Sequence, residues 1–481
     1  MTDPPALAFG AREYTRADLN ALAGGMAEVL TERGVRAGDR VALMSSNRPE
    51  FVVALRACWR LGAAVVLLSP AWKRAEVEHA LALTGASHGV GDHPVLAELL
   101  PMLHLDESVP LSDPTGGDPT GGDRTGADPD PDADALFVFS SGTTGLPKAV
   151  RHTHRAFAVA VAHWREALGL TAADRMQIMT PPSHILGLLN IATALDTGAW
   201  IRLHPRFDID AMLAHIESDR ITVEMAVAPI ALAIAAHPRL ESYDLSSLRY
   251  VMWCATPVTQ SVAEGVTSRV GVRWVTAYGA SELPDISSNP IDEARLDTVG
   301  RPVPGVDVRI VDLDDGTVLG PGRDGEIQVR SDSAMVGYLP DTATEAAFTD
   351  GYYRTGDVGH LDADGFLRIT DRTKEMVKVR GFQVAPAEVE AVLHGHPAVA
   401  DCAVFGVPDA ASGEAVVAAV QRCADVTDAE LVALVGDRLA SYKRPSRVVF
   451  VEQIPRLPSG KVLRRVLKEQ LTGSPVTNGV H

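Results

Sequence analysis

Helical and extended periods alternate along the first hundred residues. In TRADLNALAGGMAEVLTERGV (residues 15–35) apolar side chains recur at helical spacing behind a Thr/Asp start, which predicts a helix. RVALMSS (40–46) is a short apolar strand, FVVALRACWRLG (51–62) a buried helix, and AAVVLLS (63–69) the next strand. Repeated alternation of this kind favours parallel sheets covered by helices. The same rhythm runs from 156 to about 290. From 298 to 340 it gives way to β-formers broken by DDG and GRDG turns, which predicts a small β-barrel or β-subdomain. Beyond DADGFLRITDR lies a compact unit of two helical segments, APAEVEAVL and DAELVALVGDRLA, and two strands, DCAVFGV and RVVFVEQI. The domain boundary is placed at 371–374, giving domains 1–371 and 372–481.

One stretch has no period. Between Pro110 and Ala135 the chain reads PLSDPTGGDPTGGDRTGADPDPDADA, with almost nothing to bury, and is expected to be a flexible acidic linker over 110–135. The net charge of −18 argues against non-specific nucleic-acid binding, which requires a basic footprint. Against that acidity two basic groups stand out: Arg368, Arg372, Lys374, Lys378 and Arg380 within 368–380, and KVLRRVLK from Lys461 to Lys468. Either group is a solvated surface or a site for an anionic ligand. No apolar run is long enough to cross a bilayer, and the N-terminus lacks the pattern of a signal peptide. Cys58, Cys254, Cys402 and Cys423 have no zinc or disulfide spacing. A cytoplasmic enzyme, with no membrane or nucleic-acid partner, is the expectation.

The chemistry starts at FVFSSGTTGLPKAVRHTHR (137–155), a buried strand that runs into a hydroxyl- and glycine-rich loop ending at Lys148. Pro147 and Ala149 stand where a Walker loop has its second Gly and its Mg²⁺-binding hydroxyl, so this is not a common NTPase P-loop. Ser140, Ser141, Thr143 and Thr144 nevertheless offer four hydroxyls. Gly142 and Gly145 let backbone N–H groups approach a polyphosphate, and Lys148 adds a point charge.

SSGTTGLPK resembles the signature of the adenylate-forming superfamily of acyl- and aryl-CoA synthetases, peptide-synthetase adenylation domains and luciferases. YGASE (278–282), YRTGD (353–357), DRTKEMVKVRGFQVAPAEVE (371–390) and LPSGKVLRR (457–465) follow in that family's order. The resemblance spans essentially the whole chain, and locally is nearest the coumarate–CoA ligase branch. It implies an α/β fold: a large N-terminal domain of two doubly wound α/β subdomains plus a small β-barrel subdomain, and a smaller, mobile α+β C-terminal domain. It implies activation of a small carboxylic acid by ATP to an acyl-adenylate, then transfer to coenzyme A.

On matching residues, the resemblance implies that Ser140–Lys148 hold the β- and γ-phosphates. Tyr278, Gly279 and Ser281 would lie along the nucleotide, and Glu282 would hold Mg²⁺. Asp357 would bind the ribose with Arg372 nearby, and Lys461 would bridge the carboxylate and the α-phosphate. Catalysis would fall to Lys461, His184, Glu282 and Thr144. Lys374 takes the hinge position, Lys378 and Gln383 assist the first step, and Arg380 and Gly381 would meet coenzyme A.

The acid pocket, His184, Trp253, Cys254, Gly279, Pro284 and Asp285, departs from the family. WCATP (253–257) replaces a run of small residues, and Asp285 stands where the wall is normally apolar. Asp285 either receives a substrate amine or hydroxyl or caps a turn after Pro284. A small aromatic or amino-substituted acid fits this pocket better than a long acyl chain. Two other readings stay open: an adenylating enzyme with another acceptor (a carrier protein, an amine, or nitrite activation for diazotisation) and a non-catalytic nucleotide-binding regulator.

Overall fold

The computed structural model describes residues 3–107, 129–140, 147–255, 260–372, 375–379, 382–409, 413–439, 441–456 and 462–472. The predicted first helix runs Arg16–Glu32. Thr15 caps it through a reciprocal box in which the Asp18 N–H donates to Thr15 Oγ1 and the Thr15 N–H donates to Asp18 Oδ2. Pro49 opens the second helix, Pro49–Arg60, where its missing N–H costs nothing.

The apolar runs assemble into two large sheets. One has seven strands, in the order Gly337–Leu339, Lys148–Thr153, Asp134–Ser140, Ala64–Leu68, Arg40–Met44, His88–Gly91, Met102–His104. Its last five are parallel; Lys148–Thr153 and Gly337–Leu339 add an antiparallel edge. Every residue of Ala64–Leu68 is buried, as expected of a strand covered on both faces. The other sheet has nine strands. A parallel block Trp274–Tyr278, Tyr250–Trp253, Val223–Ala226, Arg175–Ile178, Trp200–Leu203, Pro5–Phe9 is flanked by antiparallel edges, Ser287–Ser288 and Arg301–Pro302 on one side and Arg12–Thr15 on the other. These are the two doubly wound subdomains that the alternation and the resemblance lead one to expect. The β-rich segment forms a five-stranded sheet of Asp307–Val311, Gly325–Arg330, Tyr352–Leu361 and Phe348–Thr349, with Leu367–Arg372 paired to Tyr352–Leu361.

Residues 110–128 of the acidic stretch lie outside the described ones; at its end, Asp134 and Ala135 belong to strand Asp134–Ser140. Asp134 is held there by Arg40 and Arg151.

By packing, the chain divides into two compact units: Met1–Ala226 with Ile230–Asp307 and Val329–Tyr353, and Val227–Pro229 with Val308–Gln328 and Arg354–His481. Near the C-terminus, alternation along Val399–Asp409 builds two cores. Cys402 and Val404 face helices Pro386–His394 and Asp428–Arg438, meeting Val389, Leu393, Leu431 and Val435. Ala403 and Phe405 meet Ile454 and Leu467 on the other face. Here one basic residue proves structural: Arg464 is partly buried, ion-paired with Glu375, bonds Glu390 at 2.8 Å and donates to the Val404 carbonyl at 3.0 Å. It is neither a solvated charge nor a site for an anion. No helix among the described residues is long and apolar enough to cross a membrane.

Candidate active site

In the nine-stranded sheet, neighbouring parallel strands point the same way, so the loops leaving their carboxyl ends line one edge, where open α/β sheets form binding crevices. The segment after Arg175–Ile178 carries His184; Tyr250–Trp253 ends in Trp253 and hands on to Cys254; Trp274–Tyr278 runs into Gly279–Asp285. All six residues expected to line the acid pocket therefore lie along this edge. Two close approaches shape it. A Cβ at Gly279 would sit 2.0 Å from the Pro284 carbonyl oxygen, and one at Gly187 would sit 2.3 Å from that of Pro181, so both positions require glycine.

The phosphate-loop segment belongs to the seven-stranded sheet. Ser140 and Lys148 are cross-strand partners in the antiparallel pair Asp134–Ser140 and Lys148–Thr153. The stretch between them thus closes a hairpin, and no helix N-terminus follows it directly, unlike a P-loop. Ser141, Gly142, Thr143, Thr144 and Gly145 lie outside the described residues. The Lys148 ammonium sits 5.3 Å from the centre of the Tyr338 ring, on the neighbouring edge strand.

Tyr338 links the two sheets. Its hydroxyl donates to Glu282 Oε1 at 2.7 Å, joining the loop after Trp274–Tyr278 to the edge strand beside Lys148. The Met335 N–H donates to the Glu282 carbonyl at 2.7 Å, and His152 Nε2 donates to the Ser281 carbonyl at 2.7 Å. His152 is fully buried and held neutral by desolvation, which brings its pKa down to about 4. The Tyr353 phenol hydrogen-bonds to that of Tyr338. Burial and the Glu282 charge keep both phenols protonated well above their ordinary range. Glu282 Oε2 makes no hydrogen bond among the described residues. Sequence reasoning singled out Lys148, Glu282 and Tyr278 but missed Tyr338, Tyr353 and His152. The chain has eight tyrosines, and two of them, Tyr338 and Tyr353, act on this carboxylate, so their scarcity was the available signal.

Along the acid-pocket edge, Trp253 is fully buried, its ring 5.4 Å from that of Trp274. Cys254 is buried and its thiol is pushed up to about 12, first by desolvation and then by Asp285. Asp285 is 1% exposed, and among the described residues neither carboxylate oxygen has a hydrogen-bond partner. It does not cap the turn after Pro284; the backbone closes that turn alone, with Ala280 N–H to Leu283 O at 2.9 Å and Ile286 N–H to Tyr278 O at 2.8 Å. Desolvation with no compensating cation pushes the Asp285 carboxyl up to about 8. His184 stands at the start of helix Ile185–Thr197, its side chain not engaged in capping. It is exposed by area, yet surrounding protein atoms desolvate the ring and lower its pKa.

In the other unit, Asp357 and Arg372 are cross-strand partners, as are Lys378 and Gln383, so the two expected pairs share register. Asp357 is buried, its N–H bonded to Thr355 Oγ1 at 3.0 Å. The expected roles of Lys374, Arg380, Gly381 and Lys461 fall on positions outside the described residues.

Comparison with known proteins agrees with this geometry. The AMP-binding enzyme family model matches residues 1–339, and that of the AMP-binding enzyme C-terminal domain matches 388–461. The chain is 34% identical to 4-coumarate–CoA ligase 2 of Oryza sativa subsp. japonica, over 98% of this chain and 90% of that one. It superposes on the amide bond synthetase McbA from Marinactinospora thermotolerans with TM-score 0.89 and 33% identity, covering 97% of each chain. It superposes on the o-succinylbenzoate coenzyme A synthetase MenE from Bacillus subtilis, solved with ATP and a magnesium ion, with TM-score 0.84 and 29% identity, again over 97% of each. The chain belongs to the AMP-binding enzyme family of adenylate-forming ligases.

Proposed function

We propose that this enzyme activates a small aromatic or amino-substituted carboxylic acid as its acyl-adenylate and passes the acyl group to coenzyme A. In the first step a carboxylate oxygen attacks the α-phosphorus of ATP and pyrophosphate leaves. In the second the thiolate sulfur displaces AMP. The observation carrying the reading is the Lys148–Tyr338–Glu282 arrangement, which brings the cation of the phosphate hairpin and a carboxylate to one tyrosine. The residues fit Mg²⁺: Oε1 of Glu282 is fixed by a phenol and Oε2 is available. Among the described residues no group of three or more His, Cys, Asp or Glu side chains is placed to hold a metal ion. One carboxylate plus substrate phosphates is the usual setting for Mg²⁺, which there neutralises charge on the leaving group.

Within this reading the Ser140–Lys148 hairpin holds the β- and γ-phosphates, with Asp357 and Arg372 on the ribose. Lys461 bridges carboxylate and α-phosphate, and Thr144 and His184 act beside it. Lys374 serves as hinge between domains 1–371 and 372–481, Lys378 and Gln383 support the first step, and Arg380 and Gly381 meet coenzyme A. Trp253, filling the end of its strand, limits the length of the acid.

A second reading keeps the adenylation and replaces coenzyme A with an amine, a carrier protein or nitrite. The match to an amide bond synthetase favours keeping it. The test is pyrophosphate release over a panel of small acids, with and without coenzyme A, with products identified by mass spectrometry. A thioester supports the first reading. Pyrophosphate without thioester rejects coenzyme A as acceptor, and no pyrophosphate with any acid rejects adenylation.

A further inference from the structure

Buried carboxylates elsewhere in the nine-stranded sheet are partnered. Glu224 accepts from Gln177 Nε2 at 2.6 Å and from the Met225 N–H at 3.0 Å. Asp174, opening the next strand, accepts from Arg249 at 2.8 Å and Thr222 at 2.7 Å. Asp285 is as buried as these, yet both of its oxygens are unmatched among the described residues. Burying a carboxyl group with no donor opposes folding, so a group retained in that state is matched by something that arrives later. Its position says what. It follows Glu282 by three residues in the loop at the carboxyl edge of the sheet, beside Cys254, on the edge read as receiving the acid.

The donor the site lacks is a cation. Cys254 is the neighbour whose electrostatic coupling to Asp285 is resolved, and burial keeps its thiol protonated, so it brings no positive charge. Among the described residues no cation contributes to the environment of Asp285. A neutral hydroxyl would satisfy one lone pair and leave an ionised carboxylate uncompensated. A protonated amine supplies both donors and charge, and is the only common substituent that offsets the full cost of ionising a buried acid.

We propose that Asp285 is the specificity residue for a basic amine, and that the enzyme's substrates are carboxylic acids bearing such an amino group. The inference rests on the reading that this edge receives the acid. On binding, the substrate ammonium donates to the Asp285 carboxylate. An amino acid of this class is therefore held at two points, the amine at Asp285 and the carboxylate at the phosphate side.

The experiment compares wild type and Asp285→Asn in pyrophosphate release with 3- and 4-(aminomethyl)benzoate, whose benzylic amines are protonated at neutral pH, benzoate and 4-hydroxybenzoate, together with thermal melts of both proteins. Wild type is expected to prefer an (aminomethyl)benzoate over benzoate by about 100-fold in kcat/KM, the scale of a buried ion pair. In Asp285→Asn that ratio collapses towards one. The ligand-free variant is expected to melt higher than wild type, because a neutral amide replaces an unmatched acid. Preference for benzoate or 4-hydroxybenzoate in wild type, or an amine preference that survives the substitution, overturns the proposal while leaving adenylation standing. A variant that melts lower identifies Asp285 as structural and overturns it too. Pyrophosphate release with none of the acids removes both this inference and the reading beneath it.

Discussion

Replacing Tyr338 by Phe isolates the link between the two sheets. The substitution removes one hydroxyl and keeps the ring, so the cation–π contact with Lys148 at 5.3 Å and the strand pairing of Gly337–Leu339 are retained. What is lost is a 2.7 Å hydrogen bond from a neutral donor to the Glu282 carboxylate. Bonds of this kind contribute about 1.5–3 kcal/mol, or about 10- to 150-fold in an equilibrium. The cost falls on Glu282, because its Oε1 loses the partner that orients the carboxylate. The Mg²⁺ concentration giving half-maximal pyrophosphate release should therefore rise about tenfold or more. Binding of Mn²⁺ in the presence of ATP, followed by electron paramagnetic resonance, should weaken by the same factor without any turnover. A merely structural role for the hydroxyl would lower the melting temperature and leave both metal titrations unchanged. Metal titrations within twofold of wild type, or strictly additive effects of Tyr338→Phe and Glu282→Gln, would refute the reasoning.

Three further outcomes follow from the same geometry. Lys148→Ala should raise the KM for ATP at least about tenfold with little change in melting temperature, since it removes a point charge from the mouth of a hairpin; initial rates against ATP concentration measure it. Trp253→Ala empties a fully buried indole site and should cost about 3–5 kcal/mol in denaturant melts. The surviving enzyme should accept bulkier acids in the pyrophosphate assay. For His152, the folded pKa of about 4 lies below the ordinary 6.5, so between those values the unfolded chain binds a proton that the folded chain does not. Stability is then lost as pH falls from about 6.5 towards 4, by about 2 kcal/mol at pH 5. Urea midpoints at pH 7 and pH 5 should show this slope, and His152→Asn should lack its share.

Local signals were legible in the sequence, and pairings across distance were not. The helix behind Thr15 and the strands Arg40–Met44 and Ala64–Leu68 follow from periods and caps that a window of a dozen residues contains. The role of Arg464 does not. Within KVLRRVLK it resembles a solvated charge, but Glu375 and Glu390, 89 and 74 residues away in the chain, pair with it. Tyr338 was invisible for the same reason, its partner Glu282 lying 56 residues earlier. Asp285 could be flagged as out of place in an apolar wall. Only the structure removes the turn-capping alternative, because satisfying a carboxylate depends on donors that the sequence does not place.

The same distances explain why the link between the sheets falls where it does. Transfer at the α-phosphorus demands that the groups gripping the leaving pyrophosphate and those gripping the metal hold a fixed separation. In the proposed reading these groups come from different sheets: Lys148 from the antiparallel edge of one, Glu282 from a carboxyl-end loop of the other. Left to loop stiffness alone, that separation would drift. The edge strand instead carries Tyr338 under Lys148 and into Glu282, while Met335 and His152 fix the Glu282 and Ser281 carbonyls, so three bonds of 2.7 Å lock one loop to the other sheet. A neutral His152 suits this task. Its donor faces the Ser281 carbonyl. Among the described residues no donor braces Asp285 in this way, which is the contrast the proposed reading requires between a residue held for catalysis and one left open for a substrate.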